Sequence, residues 1–583
     1  MRPHLVKRIA VILFVLLGSI AIAGQVSNAP KGSLEGVILN DVTGEPVAGV
    51  EVQLGVFVTR SSTPPAPGVT EVTPRAPNAP VLTTGPDGKF SFKDINAETY
   101  RVIAAANGFI RQEYGQKTPY GIGRPVYVTA GQTLKDVNIR LLPTGAVSGR
   151  ILQDSGQPAL GATVWILRPT YNSQGRRLQQ VTLATADDRG DFRVYGIAPG
   201  SYYVAAGTDP TALRQFAAVG DPNVGRVQLY AMAYYPAAID LEHASAIEVR
   251  PTMDARVDMR LSKRQEFHVR GQVVDAATNR PPERAQVSLL FQGFQGMTMQ
   301  MPAPDNYSAD TGKFNISGVA PGDYTLRVQI PLTRPADLRD ANAIQQFLTA
   351  QSRQPMLLTA VTVSTADVEG LSLVMSPGVT VPGKLVVEGQ PPIDLSKFAI
   401  RLGFVPYSQR FNGFTPDTPP VTPEGEFGFP NIQSGDYQFL LNTLPNGFYL
   451  KSVKYGGVDV LNKPIRVDSK AETVEVTVQA GTGALAGSVT DSRNNPVAGI
   501  PVAVVPDQRD LTDNYRIGIT KQDGNFTIAN VPPGRYKVFS WEASEQGAYF
   551  DRDFLSRYEQ QGQSVTIQEG ANSAPNVRLI PAS

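Results

Sequence analysis

The sequence predicts an all-β protein: five tandem Greek-key β-sandwich domains strung into an elongated array. Three observations carry this. First, one phrase occurs five times, as Gly88/Phe90/Tyr100, Gly190/Phe192/Tyr202, Gly312/Phe314/Tyr324, Gly425/Phe427/Tyr437 and Gly524/Phe526/Tyr536. Each Phe lies two residues after its Gly and ten before its Tyr, while successive tyrosines are 102, 122, 113 and 99 residues apart. Fixed spacing inside a phrase and variable spacing between phrases is the pattern of tandem domains with variable loops. Second, Gly (54) and Pro (47) are frequent, which suits short strands joined by many turns. Third, 583 residues are too many for one core when about 100–200 residues make a domain.

The N-terminus reads as an export signal over 1–23. Arg2, Lys7 and Arg8 precede an apolar run from Ile9 to Ala23, and Ala21-Ile22-Ala23 fits a small-x-small cleavage site. Fifteen apolar residues are short for a bilayer span of about 20. No later stretch is apolar enough to span, so no transmembrane segment is expected in the mature chain. The expected location is the periplasm, the cell surface or outside.

Five sandwiches are expected over 32–142, 145–261, 265–376, 378–480 and 482–581. Each opens with a Gly-x-Val/Ile-type strand: Gly36, Gly149, Gly271, Gly383 and Gly487 lie in these openings. A turn follows, Gly-x-Pro in sandwiches 1 and 2 and Asn-Pro in sandwich 5, and then a second alternating strand. The phrase then supplies a hairpin turn at its Gly, a strand carrying the Phe, a sharp Pro-Gly turn and a strand carrying the Tyr. A closing strand ends each unit, as at Val137–Leu141 and Val577–Leu579. Sandwich 1 holds a proline-rich loop at 61–80, and it has Ala97-Glu98 in place of Pro-Gly. Sandwich 3 holds an insertion at 336–351 with helical spacing. Sandwich 4 is the most divergent. The junctions are short, so five units in line predict a rod on the order of 150 Å if each strand core spans about 20–25 Å, and side-by-side packing would shorten it.

The opening strand, the Gly-x-Pro turn, the Gly-x-x-Val strand and the Gly-x-Phe…Pro-Gly-x-Tyr phrase together resemble the carboxypeptidase regulatory-like domain. The match is best at Gly36/Pro46/Gly49, Gly149/Pro158/Gly161 and Gly487/Pro496/Gly499. The resemblance implies a transthyretin-like (prealbumin-like), starch-binding-domain-like sandwich. It implies an accessory role rather than a catalytic one. The phrase itself reads as a fold signature: alternation sets its Phe and Tyr on one face, and Tyr at a sandwich corner can fill core and bond nearby backbone.

Several function classes are excluded or disfavoured. With no cysteine, thiolate nucleophiles and thiolate metal sites are ruled out. A net charge of +1 without a basic block offers no nucleic-acid footprint. Beyond the signal the histidines are His243 and His268, in different repeats, and no zinc-peptidase or Gly-x-Ser-x-Gly motif exists. The acidic run Asp187-Asp188-Arg189-Gly190-Asp191 invites a Ca²⁺ or adhesion reading, but it occupies the phrase's turn. Lys384 is the one lysine near a position suited to an intramolecular isopeptide bond. No catalytic residue, metal site or cofactor is therefore expected.

The expected function is a non-enzymatic structural or interaction module at the cell envelope, with an envelope protein or polysaccharide as partner. The alternative is carbohydrate binding through aromatic rings on the sandwich faces: Trp165, Trp541, Tyr234 and Tyr235. Alternation turns Trp165 and Trp541 away from their cores, where exposed rings would stack on sugars. Against this stands packing of the same rings at inter-domain joints or tail segments, which the sequence favours.

Overall fold

The computed structural model describes residues 30–56, 80–172, 175–208, 230–263, 265–292, 298–301, 306–332, 341–352, 356–376, 378–389, 401–406, 421–442, 444–574 and 576–582. The expected signal and nearly all of the 61–80 loop lie outside them. The described chain forms five two-sheet sandwiches, each with its own core.

Sandwich 5 shows the plan. Its first sheet sets the opening strand Gly483–Thr490 between the Phe strand Asn525–Val531 and the closing strands Gly570–Ser573 and Val577–Arg578. Its second sheet runs in the order Arg516–Ile519, Pro501–Pro506, Gly534–Phe539, Gln563–Ile567. The chain crosses between the two sheets several times, as Greek-key connections do. One pair departs from a purely antiparallel plan: in all five units the opening and closing strands run parallel. Leu485, Val489, Phe526, Ile528, Tyr536 and Val538 meet between the sheets, each at most 2 % exposed.

The repeated phrase has one physical solution throughout. Its tyrosine hydroxyl donates to the backbone carbonyl four residues earlier: Tyr100 to Asn96 (3.0 Å), Tyr202 to Ala198 (2.6 Å), Tyr324 to Ala320 (2.9 Å) and Tyr536 to Pro532 (2.7 Å). Tyr437 bonds the Gln433 backbone in the same way. Six residues before each tyrosine the backbone enters the left-handed region, at Asp94, Gly196, Gly318, Asn431 and Asn530. A β-bulge falls there in every unit. A bulge bends and twists its strand, and this one aims the chain into the corner. Two residues before the tyrosine, Gly200, Gly322, Gly435 and Gly534 take φ of 153–159°, which suits glycine. Sandwich 1 has Glu98 at this place and still forms the corner bond.

The opening-strand glycine is required by close approach. A Cβ would lie 2.8 Å from the Phe90 ring at Gly36, 2.8 Å from Phe314 at Gly271 and 2.7 Å from Phe526 at Gly487. The Phe ring of the phrase thus lies over bare backbone.

Two helices interrupt the strands. Helix α1 (Ala341–Ser352) falls in the insertion expected to be helical. Helix α2 (Arg552–Tyr558) was not expected; Asp551 caps it by accepting from the Asp553 and Phe554 N–H groups. Sandwich 4 inserts Phe448–Tyr455 beside its closing strand.

Side-by-side packing shortens the array: sandwich 5 lies against sandwiches 1 and 2 as well as 4. The Tyr127 hydroxyl donates to the Thr520 carbonyl at 3.0 Å, across 393 positions of sequence. The chain therefore returns on itself. The short junctions set the order of the units, and contacts between distant units hold sandwich 5 in place, Tyr127 to Thr520, Arg168 to Glu545 and Pro125 against Gly499.

Candidate functional site

The most elaborated polar constellation among the described residues is the joint of sandwiches 1, 2 and 5. Arg168, on the strand Thr163–Asn172 of sandwich 2, places its guanidinium 3.6 Å from the ring centre of Tyr120 in sandwich 1. Its Nη2 donates to Gln179 Oε1 at 3.0 Å, and Nη1 lies 3.8 Å from Glu545 Oε2 in sandwich 5. Tyr120 Oη is 3.0 Å from Tyr202 Oη. Because Tyr202 donates to its corner carbonyl, Tyr120 donates to Tyr202. Burial, with Tyr120 beside it, pushes the Tyr202 phenol far above its ordinary pKa. Burial raises the Glu545 carboxyl too, opposed by Arg168. Lys117 Nζ adds a contact of 3.9 Å to Glu542. This is interface chemistry: a cation over an aromatic face and donors matched to acceptors. It offers no nucleophile with an adjacent base.

The sequence-predicted rings occupy two places. Trp165 faces away from the sandwich 2 core, as alternation requires, but it is only 4 % exposed. Leu167, Leu178 and Ala205 pack with it, joined by Tyr203, Met232 and Tyr234. Tyr234, on the strand Ala233–Tyr234, is partly buried in this satellite cluster, and burial raises its phenol pKa. Tyr235 turns the other way and packs against the main core. The structure thus brings Trp165 and Tyr234 together and sends Tyr235 inward.

Trp541 also faces away from its core and is also 4 % exposed. It stacks on Phe539, with centroids 5.2 Å apart and planes 7° apart. Phe554 and Tyr558 of α2 cover it at 5.3 and 6.0 Å. A second apolar layer on the outer face of each sheet buries both tryptophans, which is the packing weighed above against exposed, sugar-stacking rings. Alternation reports which sheet face a side chain takes. It does not report whether another segment lies over that face.

Trp541 Nε1 and Thr118 Oγ1 are buried without a partner, and both residues line a gap of about 10 Å³ between sandwiches 1 and 5. That is roughly the room one water needs.

A groove of about 710 Å³ lies on sandwich 3, lined by Arg270, Gln272, Asn306, Tyr307, Lys313 and Glu369 among others. Its arginine is already engaged: Arg270 Nη1 lies 2.9 Å from Asp367 and 2.5 Å from Glu369.

The remaining candidates are structural. Asp187 Oδ1 accepts from the Arg189 and Asp191 N–H groups at 2.9 Å each, closing the turn, and Arg150 holds Asp191 at 2.6 and 3.1 Å. That pairing keeps the Asp191 carboxyl below its ordinary pKa. His243 pairs with Asp240 at 2.7 Å and His268 with Asn315 at 2.8 Å. Lys384 is exposed. Among the described residues no three His, Asp or Glu side chains are grouped to hold a metal. No described helix is long and apolar enough to cross a membrane.

No family model matches the chain, and no curated protein matches it. Solved structures with a likeness include a minor pilin of Streptococcus agalactiae, GBS52, at 16 % identity, covering 40 % of this chain and 96 % of that one with a TM-score of 0.22. A streptococcal ancillary pilin aligns at 14 % identity over 54 % of this chain and 99 % of that one, TM-score 0.19. The TIE protein of Bacillus anthracis aligns at 11 % over 76 % and 74 %, TM-score 0.14. With TM-scores this low, none of the three bears on what this chain does.

Proposed function

We propose that the chain is an exported, non-enzymatic structural and interaction module of the cell envelope, built from sandwiches of the carboxypeptidase regulatory-like type. One observation supports this most. The residues shared by all five copies serve the corner, while residues peculiar to one copy, such as Arg168, Tyr120, Tyr127 and Glu545, serve contacts between sandwiches. Such a division suits a scaffold that holds its units in a set arrangement and presents their differing loops to an envelope protein or polysaccharide. The burial of Trp165 and Trp541 counts against the sugar-binding alternative.

Cell fractionation with protease accessibility tests the location: protein found in the cytoplasm overturns the reading. A hydrolase substrate panel tests the absence of catalysis, since turnover by the purified chain would contradict it. A glycan array separates the two binding readings. Binding at millimolar ligand that is lost in Trp165→Ala would restore the carbohydrate alternative.

A further inference from the structure

Sandwiches 3 and 4 share one sheet plan as far as the closing strand and differ beyond it. In sandwich 4 the closing strand Val474–Ala480 lies between the opening strand and Phe448–Tyr455. The latter runs antiparallel, Tyr455 opposite Val474 and Phe448 opposite Ala480. In sandwich 3 the closing strand Val368–Met375 pairs with Phe267–Asp275 on one side. Among the described residues nothing pairs with its other side.

The other three units have no comparable edge. Their closing stretches are broken into short strands, Thr133–Leu134 and Ile139–Leu141, Asp254–Arg256 and Met259–Leu261, or Gly570–Ser573 and Val577–Arg578. Short, interrupted strands are one way a sheet edge is made unfit for pairing. In sandwich 3 a single irregularity at Gly370 (φ 74°) is followed by unbroken register from 371 to 375.

The direction of the unused bonds follows from the ladder. The Ala276 N–H donates to the Met375 carbonyl, so Met375 faces the opening strand. Alternate residues of a parallel strand address the same neighbour. Ser372 and Val374 therefore aim their N–H and C=O groups at the open side. Leu373 and Met375 are buried, whereas Val374 is 51 % exposed. The stretch 371–375 carries no charge and no proline, so the usual guards of a free edge are missing.

We propose that this edge is a self-association site: the closing strand of sandwich 3 pairs antiparallel with the same strand of a second copy. The second copy takes the position that Phe448–Tyr455 takes in sandwich 4. A twofold axis at Leu373 sets Ser372 of one copy opposite Val374 of the other, and Leu371 opposite Met375. Glu369 falls outside this stretch, so no like charges are opposed. Two three-stranded sheets become one six-stranded sheet across an isologous contact. A five-residue edge gives a reversible dimer rather than an obligate one.

Sedimentation equilibrium on the purified exported chain tests this. The apparent mass is expected to rise with concentration toward twice that of the single chain. Val374→Lys puts a charge on the outer face of the edge, and Val374→Pro removes an outward N–H. Each is expected to weaken association at least tenfold with an unchanged circular dichroism spectrum; if the proline variant misfolds, the lysine variant decides. Tyr195→Lys, at a residue 79 % exposed on sandwich 2, is the control and is expected to leave association intact. A monomer at every concentration, a dimer indifferent to both Val374 variants, or equal loss with Tyr195→Lys would overturn the proposal.

Discussion

The strand Gly534–Phe539 of sandwich 5 has two faces with different origins. Tyr536 and Val538 point inward and repeat a pattern found in four other units. Phe539, with Trp541 just beyond the strand, points outward and packs under α2 in a cluster with Tyr515, Leu555 and Ile580. Both faces are buried. The inner one is built wholly from its own unit, with Leu485, Val502, Ile567 and Val577 meeting Tyr536 there. The outer one needs a helix from the tail and, beyond it, two other sandwiches. The difference shows how one fold can be copied five times while each copy acquires its own neighbours: the repeated face builds the unit and the other face places it.

The comparison can be broken most severely from the outer face. Trp541→Ala removes the ring that Phe539, Phe554 and Tyr558 share, and is expected to cost about 3–5 kcal/mol in denaturant unfolding of sandwich 5. A cost near zero would mean that the outer layer is decoration.

Next come two changes on the inner face. Gly487→Ala forces a Cβ against the Phe526 ring and is expected to cost about 1–3 kcal/mol. Tyr536→Phe leaves the buried Pro532 carbonyl without its donor, again about 1–3 kcal/mol. The equivalent Tyr100→Phe should match it, although sandwich 1 lacks the glycine. A much smaller loss there would show that the corner depends on the Pro-Gly turn as well as on the hydroxyl.

The corner also predicts a pH limb. Burial raises the phenol pKa of Tyr202 and Tyr536, and that of Tyr437 to about 12. The folded state keeps these protons after the unfolded chain releases them near pH 10. Their contribution is thus complete below about pH 10 and is lost as pH rises through the folded values. Tyr437→Phe is expected to flatten the fall in melting temperature between about pH 10 and 12. An unchanged slope would place the alkaline transition elsewhere.

The smallest stability effect belongs to the joint. Arg168→Ala is expected to change unfolding by no more than about 1 kcal/mol, because its ion pair with Glu545 is long and partly exposed. Its effect should appear in shape: small-angle scattering of the variant should show a larger radius of gyration as sandwich 5 leaves sandwiches 1 and 2. An identical radius would show that Tyr127, with Pro125 packed against Gly499, holds the joint alone.

Much of the fold was legible because its determinants are local. The distance from Gly88 to Tyr100 recurs four times, and this alone counts the sandwiches. The left-handed position six residues before each tyrosine was equally available: Asp, Gly, Gly, Asn and Asn stand there, and all tolerate positive φ. Three residue types share the place, so no repeated letter marks it. Helix α2 was legible in part, through Asp551 as cap and Phe554, Leu555 and Tyr558 on one side of a short turn pair. The side-by-side placement of sandwich 5 was not legible, for a different reason. No local rule connects Tyr127 with Thr520, or Arg168 with Glu545, so the return of sandwich 5 is invisible to alternation and turn chemistry. The burial of Trp165 and Trp541 rests on nearer residues, Leu178 for one and the helix from the tail for the other.

The contact between Tyr127 and Thr520 has a mechanical consequence. A pull applied between sandwich 1 and sandwich 5 meets that joint before it can reach the units threaded between them. The first event under load is then the shearing of a few side-chain contacts, and the length stored in sandwiches 2, 3 and 4 is released only afterwards. The molecule would behave as a tether with a latch, slack-free at low force and longer once the latch opens.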